Sequence, residues 1–307
     1  MECFSRIFNR TGSKIMPIIN AFALWRDSSE HIERTLTQLD SLIALQGFQF
    51  NFFFYENDSK DDTIAQLKSW KEKNADRATV EILSEKLNAP RFGSVPSNVR
   101  TSMLSYYRNK NKEMGAKIPS NYSLVIDSDL TWTAQDFLEL FGQIRLRDDV
   151  VMVTSNCRQN VPDYVFNRTE ESYYDVYCLR DKWGNNGMYF SDAPFYDEND
   201  NVKFLGGAVV EIKSGFGGLA MIKSDVFNKI RWSADFHSEH VNFCYDAGRY
   251  GKILAVPTSR PFAQIDLSKL NLDNCRKIAH DELVNYQNGN QLRNASVMDK
   301  WVFGGQK

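Results

Sequence analysis

The first half of the chain alternates short apolar runs with segments whose apolar residues recur at helical spacing. Ser28 or Ser29 is the expected cap of the first helix, and acidic residues are expected in the first turn of the second. Alternation of this kind predicts an α/β fold, with a mostly parallel sheet flanked by helices. The periodicity predicts strands over 15–24, 48–55, 78–83, 122–126 and 150–154, and helices over 28–45, 61–73, 97–112 and 134–146.

Beyond residue 156 the pattern becomes irregular. We expect a long loop or hairpin over 185–201, an apolar strand over 219–222, a helix over 237–250 and a late strand over 252–256. No repeat, low-complexity tract or clear linker divides the chain, which favours a single domain over residues 1–307. Its expected parts are a first half at 15–156, a second half at 157–260 and a C-terminal wrap at 261–307.

Composition narrows the classes of function. A net charge of −2 argues against a broad nucleic-acid surface. The five cysteines follow no zinc or disulfide spacing. Two sequons, at Asn57 and Asn121, lie beside strand ends where a glycan would obstruct a site, so we expect a cytoplasmic protein. Residues 1–14 mix apolar and basic side chains, which fits either a frayed terminus or weak peripheral contact with a membrane.

The cluster with the clearest chemistry is Asp127-Ser128-Asp129, which follows the apolar run of the fourth predicted strand. An extended chain places both aspartates on one side, about 7 Å apart at Cα. They can hold Mg²⁺ or Mn²⁺, which take their remaining ligands from phosphate and water. Such a metal would neutralise the charge on a departing diphosphate. The alternative is a strand-end turn with two solvated carboxylates.

Other polar clusters follow the first two strands, and ligands of α/β sheets bind beyond such carboxyl ends. No G-x-G-x-x-G follows the first strand, which argues against a dinucleotide. Glu56 and Asp58 would bind a ribose or a base edge, or else form a helix-entry turn. Arg100 and Arg108, on one face of the third helix, would bind a diphosphate or form structural ion pairs. The remaining candidates for donor binding are Leu24, Arg26 and Ser128.

The second half supplies candidates for catalysis. Gly217 and Gly218 precede an apolar strand, where glycine permits either a close approach to a sugar or a plain tight turn. Glu239 opens a helix capped by Ser238. It would remove a proton from an acceptor hydroxyl, or else serve as a first-turn acid paired with the helix dipole. His240 would complete the shell of the metal.

The order of these motifs resembles the GT-A fold of glycosyltransferases. It has a D-x-D at the fourth strand, an acidic cluster after the second, a Gly-Gly turn and a later Ser-Glu-His. More closely, residues 17–257 resemble the fungal capsule-associated, α-1,3-mannosyltransferase-like family. The segments that carry this resemblance are 55–63, 107–109, 126–129, 173–181, 213–218 and 238–240.

The resemblance implies a Rossmann-like, mostly parallel sheet with a smaller mixed sheet and an irregular C-terminal part. It also implies Mn²⁺- or Mg²⁺-dependent transfer of a sugar from a nucleoside-diphosphate donor to a glycan hydroxyl. The first half would bind the nucleotide-sugar, and Asp175 would join the two glycines on the acceptor side. The donor of the relatives is GDP-mannose. Two departures, at 213–214 and in the form of the D-x-D, favour a UDP-sugar and place GDP-mannose second.

Three further questions stay open from the sequence. An inverting enzyme would need Glu239 or a neighbour as base, and a retaining one would not. Residues 125–131 also match the first motif of haloacid-dehalogenase-type phosphatases, in which Asp127 would be the nucleophile and Asp129 the acid/base. That motif normally comes early in its domain, and the second acidic pair is missing. A non-catalytic carbohydrate-binding relative is the other alternative.

Overall fold

The computed structural model describes residues 16–92, 97–163, 168–188, 191–235 and 238–264. The predicted membrane contact at 1–14 lies outside the described residues, and so does most of the predicted C-terminal wrap. Among the helices that are described, none is long and apolar enough to cross a membrane.

Strands and helices alternate up to residue 155, as the periodicity predicts, with bounds that differ by a few residues. The elements of this half are β1 (Ile18–Trp25), α1 (Ile32–Ile43), β2 (Gln49–Asn57), α2 (Thr63–Lys73), β3 (Thr79–Glu85), α3 (Asn98–Gly115), β4 (Tyr122–Asp127), α4 (Ala134–Arg145) and β5 (Val150–Ser155).

The second half contains more regular structure than its sequence indicates. A helix begins at Glu198, inside the predicted loop over 185–201, because the Asp197 carboxylate accepts hydrogen bonds from the backbone of Asn199 and Asp200. The elements are β6 (Arg158–Asp163), β7 (Arg168–Tyr173), β8 (Arg180–Asp181), α5 (Glu198–Leu205), β9 (Val210–Ser214), β10 (Leu219–Lys223), α6 (Ser224–Phe227), α7 (Glu239–Ala247), β11 (Lys252–Val256) and β12 (Phe262–Ala263).

The strands form one large and one small sheet. The large sheet has the order β3-β2-β1-β4-β10-β5-β11-β9-β8. Neighbouring strands from β3 to β4 run parallel, whereas β10 lies antiparallel between β4 and β5. The small sheet has the order β12-β6-β7 and is mixed. Consequently the carboxyl ends of β1, β2, β4, β5 and β11 share one edge of the large sheet.

Aromatic alternation along β2 explains how both faces of the sheet are covered. Phe52 and Phe54 belong to the core beneath α1, α2 and α4, whereas Phe53 belongs to the second core on the opposite face. Successive side chains of a strand point to opposite faces, so a strand that is apolar throughout must be covered twice. Helix α3 covers the second face and approaches closely at Gly115, beside Phe22.

Two sequence expectations about helix starts are wrong. Helix α1 begins after His31, and within the described residues His31 makes no side-chain capping bond. Ser28 is not the cap because its hydroxyl bonds within the turn at Arg26, and the Ser29 backbone donates to Asp61. The first turn of α2 contains no acid, since Asp61 lies before it and bonds the Thr63 backbone.

Gly115 and Gly142 offer a matched test of this packing. A Cβ at Gly115 would overlap the Phe22 ring, which is itself packed between Phe53 and Phe227. Gly115→Ala should therefore lower the free energy of unfolding by about 1–3 kcal/mol. At Gly142, in α4, a Cβ would meet no described atom within 4 Å. Gly142→Ala should raise it by about 0.5–1 kcal/mol.

Urea denaturation of both variants measures these differences. Equal effects of the two substitutions would contradict the close approach of α3 to the sheet.

Candidate active site

Strand β10 brings a Gly-Gly turn to the end of β4. The backbone N–H of Asp127 donates to the carbonyl oxygen of Gly218 at 2.8 Å. Gly217 and Gly218 have φ of +64° and +68°, and a Cβ on either would overlap Ser155 or Leu130. Only glycine tolerates both the positive φ and the lack of room for a Cβ, so this turn requires glycine at positions 217 and 218.

Neighbouring elements fix the backbone of the D-x-D segment. The Ser128 hydroxyl donates to the carbonyl oxygen of Leu24 at 2.7 Å, and Thr35 Oγ1 donates to that of Ser128 at 2.6 Å. Arg34 donates to the carbonyl oxygen of Asp129 at 2.6 Å, while the Asp129 carboxylate is exposed. Leu24 and Ser128, which we predicted to bind the sugar donor, are therefore hydrogen-bonded to each other in this structure.

Arg108 connects the two halves of the described chain. Its Nη2 donates to Asp127 Oδ1 at 3.1 Å, and its Nε donates to Glu239 Oε1 at 2.7 Å. The side chains of Arg108 and Glu239 are only 8% and 3% exposed, whereas that of Asp127 is 31% exposed. Burial alone would lower the pKa of Arg108, but the charges of Glu239 and Asp127 raise it. The guanidinium is thus a permanent cation between two carboxylates.

Burial by itself would raise the pKa of Glu239, but the charge that His240 carries in acid and the permanent charge of Arg108 hold it at about 2. His240 is neutral near pH 7, because burial lowers its pKa to about 3. Arg108 is then the cation that keeps Glu239 ionised. A carboxylate with so low a pKa is a weak base, so this geometry favours Glu239 as the anchor of Arg108. Its role as general base stays a prediction.

His240 lies in an aromatic cage. Its ring stacks on Phe216 at a centroid distance of 3.8 Å, and its Nδ1 accepts a hydrogen bond from Trp232 Nε1 at 3.3 Å. Its Nε2 is 3.4 Å from Glu239 Oε1 and has no hydrogen-bond partner among the residues described. The hydroxyl of Ser238 caps the helix by accepting the backbone N–H of His240 at 3.3 Å, as predicted.

Two acids at the site have raised pKa values. Burial raises the pKa of Asp175 to about 7, even though its carboxylate accepts the backbone N–H of Gly217 at 2.9 Å. Burial also raises the pKa of Asp127 to about 6, with Arg108 opposing the change and Asp129 adding to it. Because burial disfavours the ionised form of these carboxylates, a nearby cation has a large stabilising effect on that form.

The residues present fit a divalent metal that arrives with a phosphate. Across the described ranges, no three His, Cys, Asp or Glu side chains form a metal-binding group, so the predicted set of Asp127, Asp129 and His240 is not preformed. Arg108 engages Asp127 Oδ1. The other oxygen lies beside Gly218, where a Cβ would come within 3.6 Å of it. One or two carboxylates, completed by phosphate and water, suffice for Mg²⁺.

Arg26, Glu56 and Asp58 frame a neighbouring cavity of about 820 Å³ at the ends of β1, β2 and β3. Asp58 accepts three backbone N–H groups of residues 87–89 at 2.8–3.0 Å. Arg26 donates to the carbonyl oxygens of residues 89 and 90, and Glu56 accepts the backbone N–H of Ser59. These side chains hold the cavity wall, and their direct contact with a donor stays a prediction.

Arg100 lies near the Arg108 cluster, because its charge contributes to the low pKa values of Glu239 and His240. The structure thus brings together nine predicted residues at the end of β4. They are Arg100, Arg108, Asp127, Ser128, Asp129, Asp175, Gly217, Gly218 and Glu239, with His240 behind Glu239.

Sequence reasoning missed two aromatic residues of the site, Phe216 and Trp232. Asn109 holds Trp232 in place by donating to its carbonyl oxygen at 2.8 Å and accepting its backbone N–H at 3.1 Å. Asn109 lies in a segment that carries the family resemblance, but nothing local distinguishes these aromatics within a chain that has 21 Phe and 6 Trp.

Solved structures place the fold. That of GalNAc-T7 with UDP, GalNAc and Mn²⁺ aligns with a TM-score of 0.54 at 12% identity, covering 83% of this chain and 45% of that chain. The predicted fold class, the GT-A fold of glycosyltransferases, is confirmed. The model of the cryptococcal mannosyltransferase 1 family matches residues 18–248. The chain belongs to this family, which confirms the predicted enzyme class.

Mannosyltransferase PcManGT from Pyrobaculum calidifontis, in complex with GDP-Man and Mn²⁺, aligns with a TM-score of 0.47 at 12% identity. The alignment covers 81% of this chain and 57% of that one, and a likeness at this level supports no further conclusion. The chain therefore spans about half the length of these two structures. A search of curated protein sequences finds no match.

Arg108→Ala should lower the free energy of unfolding by about 3 kcal/mol, because it leaves Glu239 as an uncompensated buried charge. Adding Glu239→Gln should recover part of this loss. Arg100→Ala, on the same helix but partly exposed, should cost under about 1 kcal/mol. Thermal and urea unfolding without metal measures the stability of the unaltered protein, the two single variants and the double variant. Equal losses of stability for Arg108→Ala and Arg100→Ala would contradict the central position of Arg108.

Proposed function

We propose that this protein transfers a glycosyl group from a nucleoside-diphosphate sugar to a glycan hydroxyl, with Mn²⁺ or Mg²⁺ held by Asp127 and Asp129. The observation that carries this proposal is the D-x-D beside the Gly-Gly turn, where Arg108 engages one oxygen of Asp127 and the other lies beside Gly218. The GT-A relative GalNAc-T7, solved with UDP and Mn²⁺, supports it.

The bound metal would neutralise negative charge on the diphosphate that leaves. The protein's own residues supply the positioning. Arg108 holds one oxygen of Asp127, and the other, beside Gly218, would bind the metal. Arg34 and Thr35 fix the backbone of the D-x-D by donating to the carbonyl oxygens of Asp129 and Ser128. Arg100, which is partly exposed, is the arginine available to a phosphate oxygen.

For the sugar donor, the family match supports a different order of candidates from the one that the sequence favoured. The two departures in the motifs favour a UDP-sugar, whereas the description of the matched family specifies a mannosyltransferase. We therefore place GDP-mannose first and UDP-sugars second. The cavity framed by Arg26, Glu56 and Asp58 adjoins the site and is the space we assign to the nucleoside.

The ion pair and the low pKa of Glu239 bear on its predicted role as general base. Because Arg108 engages this carboxylate and its pKa is about 2, proton removal by Glu239 would first require the ion pair to open. This favours a mechanism in which Glu239 is not the base.

The alternatives of a phosphatase and of a non-catalytic carbohydrate-binding relative receive no support from the family match. The division into halves, the cytoplasmic location and the membrane contact stay predictions.

Asp129→Ala tests the metal site. Because the Asp129 carboxylate is exposed and its backbone is held independently, the variant should fold normally. It should lose about 100-fold or more in sugar transfer, together with Mn²⁺-dependent nucleotide binding. Asp76→Ala, another exposed aspartate, is the matched control and should retain both. An active, metal-responsive Asp129→Ala enzyme would refute the site.

The donor is tested by binding. GDP-mannose with Mn²⁺ should raise the melting temperature of the protein more than UDP-glucose, UDP-xylose or dTDP-glucose does, since ligands that bind the native state stabilise it by mass action. Chelation by EDTA should remove the shift. A larger shift with a UDP-sugar would restore the first expectation. Mg²⁺-dependent release of phosphate from a generic phosphomonoester, without nucleotide-sugar binding, would favour the phosphatase.

A further inference from the structure

A second cavity, of about 640 Å³, lies at the edge that carries the D-x-D. It is lined by the segment after β5, by the residues that follow β11, and by the end of α5. Because β4, β5 and β11 end at this edge, the cavity lies on the same rim as the proposed metal site. Its volume is within the range of small-molecule sites, and nothing in the proposed transfer step uses it.

A short hydrogen-bonded path connects this cavity to the D-x-D. Thr131, two residues after Asp129, exchanges backbone hydrogen bonds with Phe262 at 2.9 and 2.7 Å. Phe262 pairs in turn with Arg158, whose side chain lines the cavity. Two strand spacings separate the segment after the D-x-D from Arg158, or roughly 10 Å. A ligand in the cavity must extend across β12 to reach the aspartates.

The polar lining is built around a buried arginine. The side chain of Arg158 is 5% exposed and forms an ion pair with Asp192. Its Nε lies 3.7 Å from Glu171 Oε2 and has no hydrogen-bond partner among the described residues. Glu171 also pairs with Arg260 at 2.6 Å. The cavity thus offers guanidinium donors and carboxylate acceptors side by side.

This lining selects for a neutral ligand rich in hydroxyl groups. Glu171 and Asp192 would repel an anion, and Arg158 and Arg260 a cation. A hydroxyl both donates and accepts, so a sugar can bridge a guanidinium and a carboxylate at once. The apolar side chain of Leu205 lies on the cavity wall, where it can pack against the C–H face of a sugar ring.

We propose that this cavity is a distal subsite for a neutral glycan acceptor, which binds the sugar residues adjoining the one that is extended. The proposal rests on the proposed function, for which it specifies the acceptor as a neutral oligosaccharide rather than a single sugar or an anionic glycan. Asp192, on the cavity wall, belongs to the segment over 185–201 for which the sequence predicts a long loop or hairpin, and the proposal places that part of the segment beside the acceptor.

The test uses the chain of 307 residues without donor or metal. Mannotriose, maltotriose, xylotriose and an anionic galacturonic acid trimer are each titrated into the protein and followed by calorimetry or ligand-observed NMR. At least one neutral trimer should bind at millimolar concentration or below. Arg260→Ala, at a half-exposed position, and Leu205→Trp, which fills the cavity from its wall, should each weaken that binding about tenfold.

Two controls separate this proposal from the transfer function. Arg249→Ala, an exposed arginine on the far end of α7, should leave trimer binding unchanged. Asp129→Ala should also bind the trimer normally while losing metal-dependent nucleotide binding. With an active donor, Arg260→Ala should raise the KM for the trimer and spare both kcat and the KM for the monosaccharide.

The proposal is overturned if no neutral trimer binds, if both cavity variants bind it as the unaltered protein does, or if the anionic trimer binds more tightly. None of these results touches the metal site. Conversely, an active Asp129→Ala enzyme would refute the proposed metal site while leaving binding in this cavity intact.

Discussion

The ion pairs of Arg108 are the interaction on which the rest of the site depends. A buried cation costs several kcal/mol in lost hydration unless charged partners surround it, and here those partners come from β4 and α7. If either element moved, a charge would be left without compensation. The alignment of the two elements is therefore set by one side chain of α3, and the stack of Phe216 on His240 packs behind it.

In this arrangement the two aspartates differ in burial and in how they are held. Asp127 is partly buried, with one oxygen given to Arg108 and the other facing the space that Gly218 leaves open. Asp129 is exposed, and only its backbone is held. In the proposed metal site, one buried and one exposed ligand would suit a metal that enters and leaves with each nucleotide, because full enclosure would hinder its exchange. His240, neutral and caged by aromatic rings, supports the Glu239 side of the cluster.

The parts that could be predicted from sequence are those governed by local periodicity. Apolar runs such as that of β4 identify the parallel half, and the rule that sites lie beyond strand ends then locates Asp127 and Asp129. Strands β6 and β7 were missed because they consist mainly of polar residues, so their sequence shows no alternating apolar pattern. The pairing of Arg108 with Glu239 joins residues 131 positions apart, and such a contact leaves no trace in local spacing. The expected Ser28 cap failed for a related reason, since a competing turn engaged its hydroxyl.

The antiparallel position of β10 has a consequence for how the chain reaches this structure. Strands β1 to β4 can assemble from nearby contacts as soon as residue 127 is made, but the edge of β4 then lacks its neighbour. That neighbour, β10, comes some ninety residues later in the sequence. Until then β4 and β5 present two unpaired apolar edges, the kind of surface through which partly folded chains associate. The strand that delivers the Gly-Gly turn is thus also the one that fills the gap between β4 and β5, so the turn reaches Asp127 only when both strands gain that neighbour.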